Sequence, residues 1–110
     1  MARQISEDAA TALMNHKTFS RSNTQVKEDG DGNYELFIFS NKIAIYTYDK
    51  RLLITNAGWN SSTTRERLNA IPNVWTRSVK NQMFLNNNKW DGGWTEIIQA
   101  GPVLITSPIK

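Results

Sequence analysis

The stretch Tyr34-Glu35-Leu36-Phe37-Ile38-Phe39 decides the fold. Ser40-Asn41-Lys42 turns it into Ile43-Ala44-Ile45-Tyr46-Thr47-Tyr48, and Asp49-Lys50-Arg51 turns that into Leu52-Leu53-Ile54-Thr55. Each run is short, rich in β-branched and aromatic residues and bounded by turn-forming residues, so the three read as consecutive strands of an antiparallel meander. The first is apolar on both faces, which places it inside a sheet instead of at its edge. A polar strand over 23–28 precedes it, closed by the turn formers Asp29-Gly30-Asp31-Gly32-Asn33.

Two helices frame this meander. The first is predicted to start at Ser6 as N-cap, with Glu7 and Asp8 in the first turn, where the helix dipole favours carboxylates. Ala9, Leu13 and Met14 fall on one face, and the helix ends near Asn15 to Lys17. The second opens on Thr63-Thr64-Arg65-Glu66, read as a capping box in which the Thr63 hydroxyl accepts from the Glu66 amide and the Glu66 carboxylate reaches back. On that reading Thr63→Ala costs about 1 kcal/mol. Leu68 and Ile71 lie three apart on the inward face of a helix over 64–70, and Pro72 stops it. Residues 74–79 and 82–85 then read as a hairpin, and 94–98 as a last short strand beyond Asp91-Gly92-Gly93. The order α-β-β-β-β-α-β-β-β predicts an α+β fold, a small antiparallel meander with two short helices on one side. We place one domain at 1–100 and a C-terminal tail at 101–110.

Composition narrows the functional classes. A chain of 110 residues with 39% hydrophobic residues builds one modest core. No apolar run approaches the roughly 20 residues of a membrane-spanning helix, so no membrane partner is expected. The N-terminal segment turns acidic where a signal peptide becomes apolar, so export is not expected either. The absence of cysteine excludes disulfides, thiolate zinc sites and cysteine nucleophiles. The net charge of +3 is unevenly distributed: residues 42–89 carry eight Lys/Arg against only Asp49 and Glu66. Such a basic middle favours an anionic partner.

Motifs for catalysis are lacking. The single histidine, His16, sits near a helix end, where an imidazole commonly meets carbonyls. There is no P-loop, no Gly-x-Ser-x-Gly and no second histidine for a metal site. Asp29-x-Asp31-x-Asn33 opens like a calcium loop, but position six is Tyr34 and position twelve Ser40, so it reads as a hairpin turn. We therefore expect no enzyme activity, no cofactor and no metal.

The stretch 56–70 is the richest in binding groups. Hydroxyls and backbone N–H groups at a helix start make a ready anion site, Arg65 and Arg67 carry forks suited to phosphate, and Trp59 offers a face for a base. Thr63, Thr64, Arg65, Arg67 and Trp59 are the expected contacts, with Lys42, Arg77 and Lys80 as outer charges. Trp75, Trp90 and Trp94 serve chiefly as core, with a stacking platform beside Arg77, Lys80 or Lys89 as the alternative.

Several stretches resemble a family of small proteins from tailed bacteriophages: Ser40-Asn41-Lys42-Ile43-Ala44, Asn56-Ala57-Gly58-Trp59, the run from Thr63 to Pro72, Phe84-Leu85-Asn86 and Lys89-Trp90-Asp91-Gly92. Phe19-x-Arg21-Ser22-Asn23-Thr24 is similar to the family's opening, and the resemblance covers about residues 5–97. Where the family often has glycine, this chain has Ser40 and Asn87. The resemblance implies a phage origin and transfers no catalytic residue; together with the absence of cysteine, which suits a reducing compartment, it leads us to expect the host cytoplasm. Two functions follow as expectations. The first is binding of an anionic ligand, either nucleic acid or a nucleotide-type defence signal held by sequestration in a homo-oligomer. The second is a protein–protein module, inhibiting a host protein or forming part of the virion, whose mark would be a flat aromatic patch or an open strand edge.

Overall fold

The structure, a computed structural model, describes residues 2–59 and 61–98, so the tail expected at 101–110 lies outside the described residues. The elements before the second helix are α1 (Ala2–Met14), β1 (Phe19–Arg21), β2 (Thr24–Glu28), β3 (Tyr34–Ile38), β4 (Asn41–Tyr46) and β5 (Leu52–Ile54). After them come α2 (Ser62–Asn69), β6 (Thr76–Val79), β7 (Gln82–Leu85), β8 (Asn88–Lys89) and β9 (Thr95–Ile97). The expected α+β class holds, and the three central runs are consecutive neighbours. One antiparallel sheet has the order β1-β2-β3-β4-β5-β9, and a second has the order β6-β7-β8. Strands β1 and β8 were not expected. Both are two or three residues long and mostly polar, too short for alternation to show.

One face of the large sheet carries the core. Val26, Leu36, Leu52 and Ile54 are at most 1% exposed and meet Leu13 of α1 and Leu68 of α2 in a single cluster. Leu36 pairs with Ala44 and Phe37 with Lys42, so a β-bulge turns both Ile43 and Ala44 inward. Phe37 and Lys42 take the outward face. The β3–β4 turn has φ of 50° at Phe39 and 71° at Ser40, while Lys80–Asn81 and Asn86–Asn87 repeat the pattern. These are two-residue turns of the mirror-image kind that suits the twist of a hairpin, and glycine favours their second position. Ser40 and Asn87 occupy that second position. Asparagine tolerates it well; a bulky residue such as Phe39 at positive φ is strained.

Two helix starts differ from expectation. α1 begins at Ala2, four residues before Ser6, because Ile5, Ser6, Ala9, Ala10 and Leu13 form one continuous buried stripe. Ser6 is 2% exposed and faces the interior, so it is not a cap. The helix ends in a Schellman arrangement: Lys17 N–H bonds the Ala12 carbonyl at 2.8 Å across His16, whose φ is 54°. The His16 Nε2 lies 2.9 Å from the carbonyl of Thr47, on the strand end and not on its own helix, and its ring stacks on Tyr46 at 4.8 Å.

The N-cap of α2 is Ser61 instead of Thr63. Ser61 has extended backbone (φ −115°, ψ 154°), and its Oγ accepts from the Thr64 N–H at 3.2 Å. Thr64 stands where a reciprocal box would need Glu or Gln, so the cap is one-way. In chemical denaturation, Ser61→Ala should lower stability by about 1 kcal/mol and Thr63→Ala by less than half of that; a larger loss at Thr63 would refute this cap.

Candidate functional site

The residues expected at the start of α2 separate in space. Thr64 is buried against Ser61, Thr63 is half-buried, and Trp59 is 58% exposed. These three do come together, lining a groove of about 400 Å³ with Phe39 and Ile43. Nothing charged lines it.

Arg67 is not at that groove. It is 4% exposed, and its Nε donates to Thr24 Oγ1 at 2.9 Å and its Nη1 to Ser6 Oγ at 2.9 Å. The remaining bonds reach Asn23 Oδ1 at 3.3 Å and Glu66 Oε1 at 3.4 Å. Burial pushes the guanidinium below its ordinary pKa, with Glu66 acting in the opposite direction. Its role as a ligand contact is therefore corrected: the fork that suits phosphate is consumed by β2, α1 and the β1–β2 turn. Arg65 is half-buried. Lys42 lies on the outward face of the large sheet, its Nζ 2.9 Å from Glu35 Oε2, so it adds little net positive field. Arg67→Ala should cost about 3 kcal/mol in urea unfolding, and Arg67→Lys, lacking the fork, should recover less than half of it.

Two further cations at the large sheet are paired as well, whereas Lys27 of β2 lies over the Phe37 ring, 5.3 Å from its centre. Arg51 grips Glu96 through Nε and Nη2 at 3.1 and 2.9 Å, which holds the Glu96 carboxyl below its usual range. Arg21 bonds Asp8 at 2.8 Å and, with Gln4, does the same there.

Arg77 and Lys80 stand on a different surface, the outward face of the second sheet. That sheet is attached by Asn69 at the end of α2. The Asn69 Oδ1 accepts from Thr76 N–H (2.6 Å) and Oγ1 (2.8 Å), and its Nδ2 donates to the Thr76 carbonyl at 3.0 Å. Thr76, Met83, Leu85 and Trp90 are buried, which leaves the alternate residues outside. Trp75 is 55% exposed, and its backbone pairs with Asn86. Arg77 sits opposite Phe84, and Phe84 opposite Lys89, so the three lie in one row across the sheet. The Arg77 guanidinium lies over the Phe84 ring, 4.4 Å from its centre. Lys80 is in the β6–β7 turn.

This face holds no carboxylate of its own, since the chain has none between Glu66 and Asp91. Among the described residues no ion pair engages Arg77, Lys80 or Lys89. Asp91, next along the chain, accepts from the Gly93 N–H at 2.8 Å. Of the tryptophans expected in the core only Trp90 is there; Trp75 and Trp94 are exposed because their positions alternate outward or fall in a turn. Phe84 was not singled out as a contact, and Lys89 only as a flank of the alternative stacking platform, although the carboxylate-free run around them was visible in the sequence.

A weld fixes this sheet to the large one. Asn56 uses all four polar groups: N–H to the Gly92 carbonyl (2.9 Å), C=O from the Trp59 N–H (2.8 Å), Oδ1 from the Gly58 N–H (2.8 Å) and Nδ2 to Met83 Sδ (2.9 Å). Gly92 has φ +86°, and a Cβ there would stand 2.4 Å from Asn56 Oδ1. Gly92→Ala should therefore cost about 2 kcal/mol or more, read as a lower midpoint of thermal unfolding.

Within this frame the chain is a bacteriophage protein of small α+β build. It belongs to the family described as Kyanoviridae Gp96 protein, whose model matches residues 2–99. No curated protein and no solved structure matches it. Among the described residues no helix is long and apolar enough to cross a membrane.

Proposed function

We propose that this phage protein is a non-catalytic nucleic-acid-binding protein that acts on nucleic acid inside the host cell. The observation that carries this reading is the outward face of β6–β8, where Arg77, Lys80 and Lys89 have no paired carboxylate among the described residues and exposed Trp75 leads into β6. Unpaired cations keep their full field for phosphate, whereas Lys42 and Arg51 share theirs with Glu35 and Glu96. An open sheet face suits an extended polymer better than a lone nucleotide, which calls for an enclosing pocket. The site thus moves from the start of α2 to the second sheet and retains Arg77 and Lys80 from the expected contacts. The one histidine is held by Thr47 and Tyr46 within the fold, in keeping with a protein that binds without chemistry.

A second reading rests on the β3–β4 turn. Phe39 is 70% exposed at positive φ and shares an uncharged groove with Trp59, which fits an apolar side chain of a protein partner.

Salt separates the two. Three phosphate contacts give log K against log[salt] a slope of about −2 for single strands. Fluorescence-anisotropy titrations of a labelled oligonucleotide between 50 and 200 mM salt should show affinity falling roughly twenty-fold. The combined change Arg77→Gln, Lys80→Gln and Lys89→Gln should abolish binding and leave unfolding unchanged. Absence of oligonucleotide binding at low salt would refute the reading in favour of the groove.

A further inference from the structure

The outward face of β6–β8 sets one cation, Arg77, against a ring and has an exposed indole just before β6. Trp75, immediately before β6, presents an indole that is 55% exposed, and two residues further along the chain Arg77 lies over Phe84 at 4.4 Å. A guanidinium plane backed by a ring is itself a stacking surface for a base, as an indole is. Residues two apart on a strand stand about 7 Å apart, two base steps of about 3.4 Å. Lys89 flanks Phe84 on the far side and Lys80 lies at the hairpin turn, both placed for phosphates on either side of the stacked bases.

We infer that this face binds single-stranded nucleic acid, with one unpaired base on Trp75 and a second on the Arg77–Phe84 pair. The inference rests on the nucleic-acid reading above and specifies which form is bound. A duplex offers the face only phosphates and sugars, leaving the indole in contact with charged backbone. Entry into a major groove is closed too. That groove, about 12 Å wide, admits a helix or a two-stranded ribbon. Here β7 is flanked by strands on both sides, and the inner face of the hairpin is buried through Met83 and Leu85. Stacking is tolerant of sequence because every base has a π face. Gln82 and the turn residues Asn81 and Asn87 add exposed amides at the rim, so any base preference is expected to be modest beside the stacking contribution.

The test compares Trp75→Ala with the unaltered chain on a ten-nucleotide single strand and on a duplex of the same length, at one salt concentration. Trp75→Ala should weaken single-strand binding by roughly five-fold to a hundred-fold and leave the weaker duplex binding unchanged. Trp75→Phe should restore part of the loss. Quenching of tryptophan emission by the single strand should be greatly reduced in Trp75→Phe, which keeps a ring but removes that indole. The exposure of Trp75 makes these variants safe for folding, and denaturation curves coincident with the unaltered chain verify it. If Trp75→Ala binds single strands as well as the unaltered chain while the triple glutamine variant does not bind, stacking is overturned and electrostatic binding stands. Equal losses on single strand and duplex would also overturn the single-strand assignment. Failure of the unaltered chain to bind either form would remove both readings together.

Discussion

A single arginine organises the helical side of this domain. Arg67 ties α2 to Ser6 of α1, to Thr24 of β2 and to Asn23 of the β1–β2 turn, segments that lie 43 to 61 residues away in the chain. Its guanidinium is planar and always charged, so once buried it demands acceptors at fixed angles. Hydroxyls and one amide meet most of that demand, and the Glu66 carboxylate at the protein surface supplies the balancing charge. With α2 set in this way, Leu68 and Ile71 drop into the core, and Asn69 at the helix end is positioned to receive Thr76. The location of the second sheet thus depends on a polar contact made on the opposite side of α2.

That dependence bears on electrostatics. The chain is only modestly basic, yet its charges divide by layer. On the large sheet Arg21, Lys42 and Arg51 each have a carboxylate partner, and the carboxyls of Asp8 and Glu96 are held below their usual range by it. Cations lie over rings on both sheets, Lys27 over Phe37 on the large one and Arg77 over Phe84 on the small one, but among the described residues those of the second sheet have no carboxylate partner. A cation over a ring keeps its charge visible to solvent, while a cation in an ion pair does not. The local potential of the small face therefore exceeds what the net charge of the chain would indicate.

How much of this was legible in the sequence depends on how local the cause is. The meander over 34–55, the β6–β7 hairpin and the inward pair Leu68 and Ile71 follow from alternation, turn residues and spacing, all contained within a few residues. The cap of α2 was misplaced because 61–64 offers four hydroxyl side chains in a row, and only the extended backbone at Ser61 distinguishes them. Ser6 was misread because a serine on a buried stripe looks like a cap until its distant partner is known. Arg67 was read as a ligand contact for the same reason: an arginine is ordinarily exposed, and its acceptors come from three remote segments. For the candidate site, Arg77, Lys80 and the stacking option at Trp75 were legible. Their gathering on one face with Phe84 and Lys89 required strand register.

The strand order has a further consequence. β5 and β9 are neighbours in the large sheet, yet α2 and the whole second sheet lie between them in the chain. The second sheet is thus a cassette held between two strands that close beneath it. Leu52 cannot meet Ile97 until everything between has been made, so the edge of β5 is the last to be covered as the chain emerges from the ribosome. The same arrangement isolates change: residues on the outer face of the cassette can vary in charge or ring size without shifting any register in the sheet that carries the core.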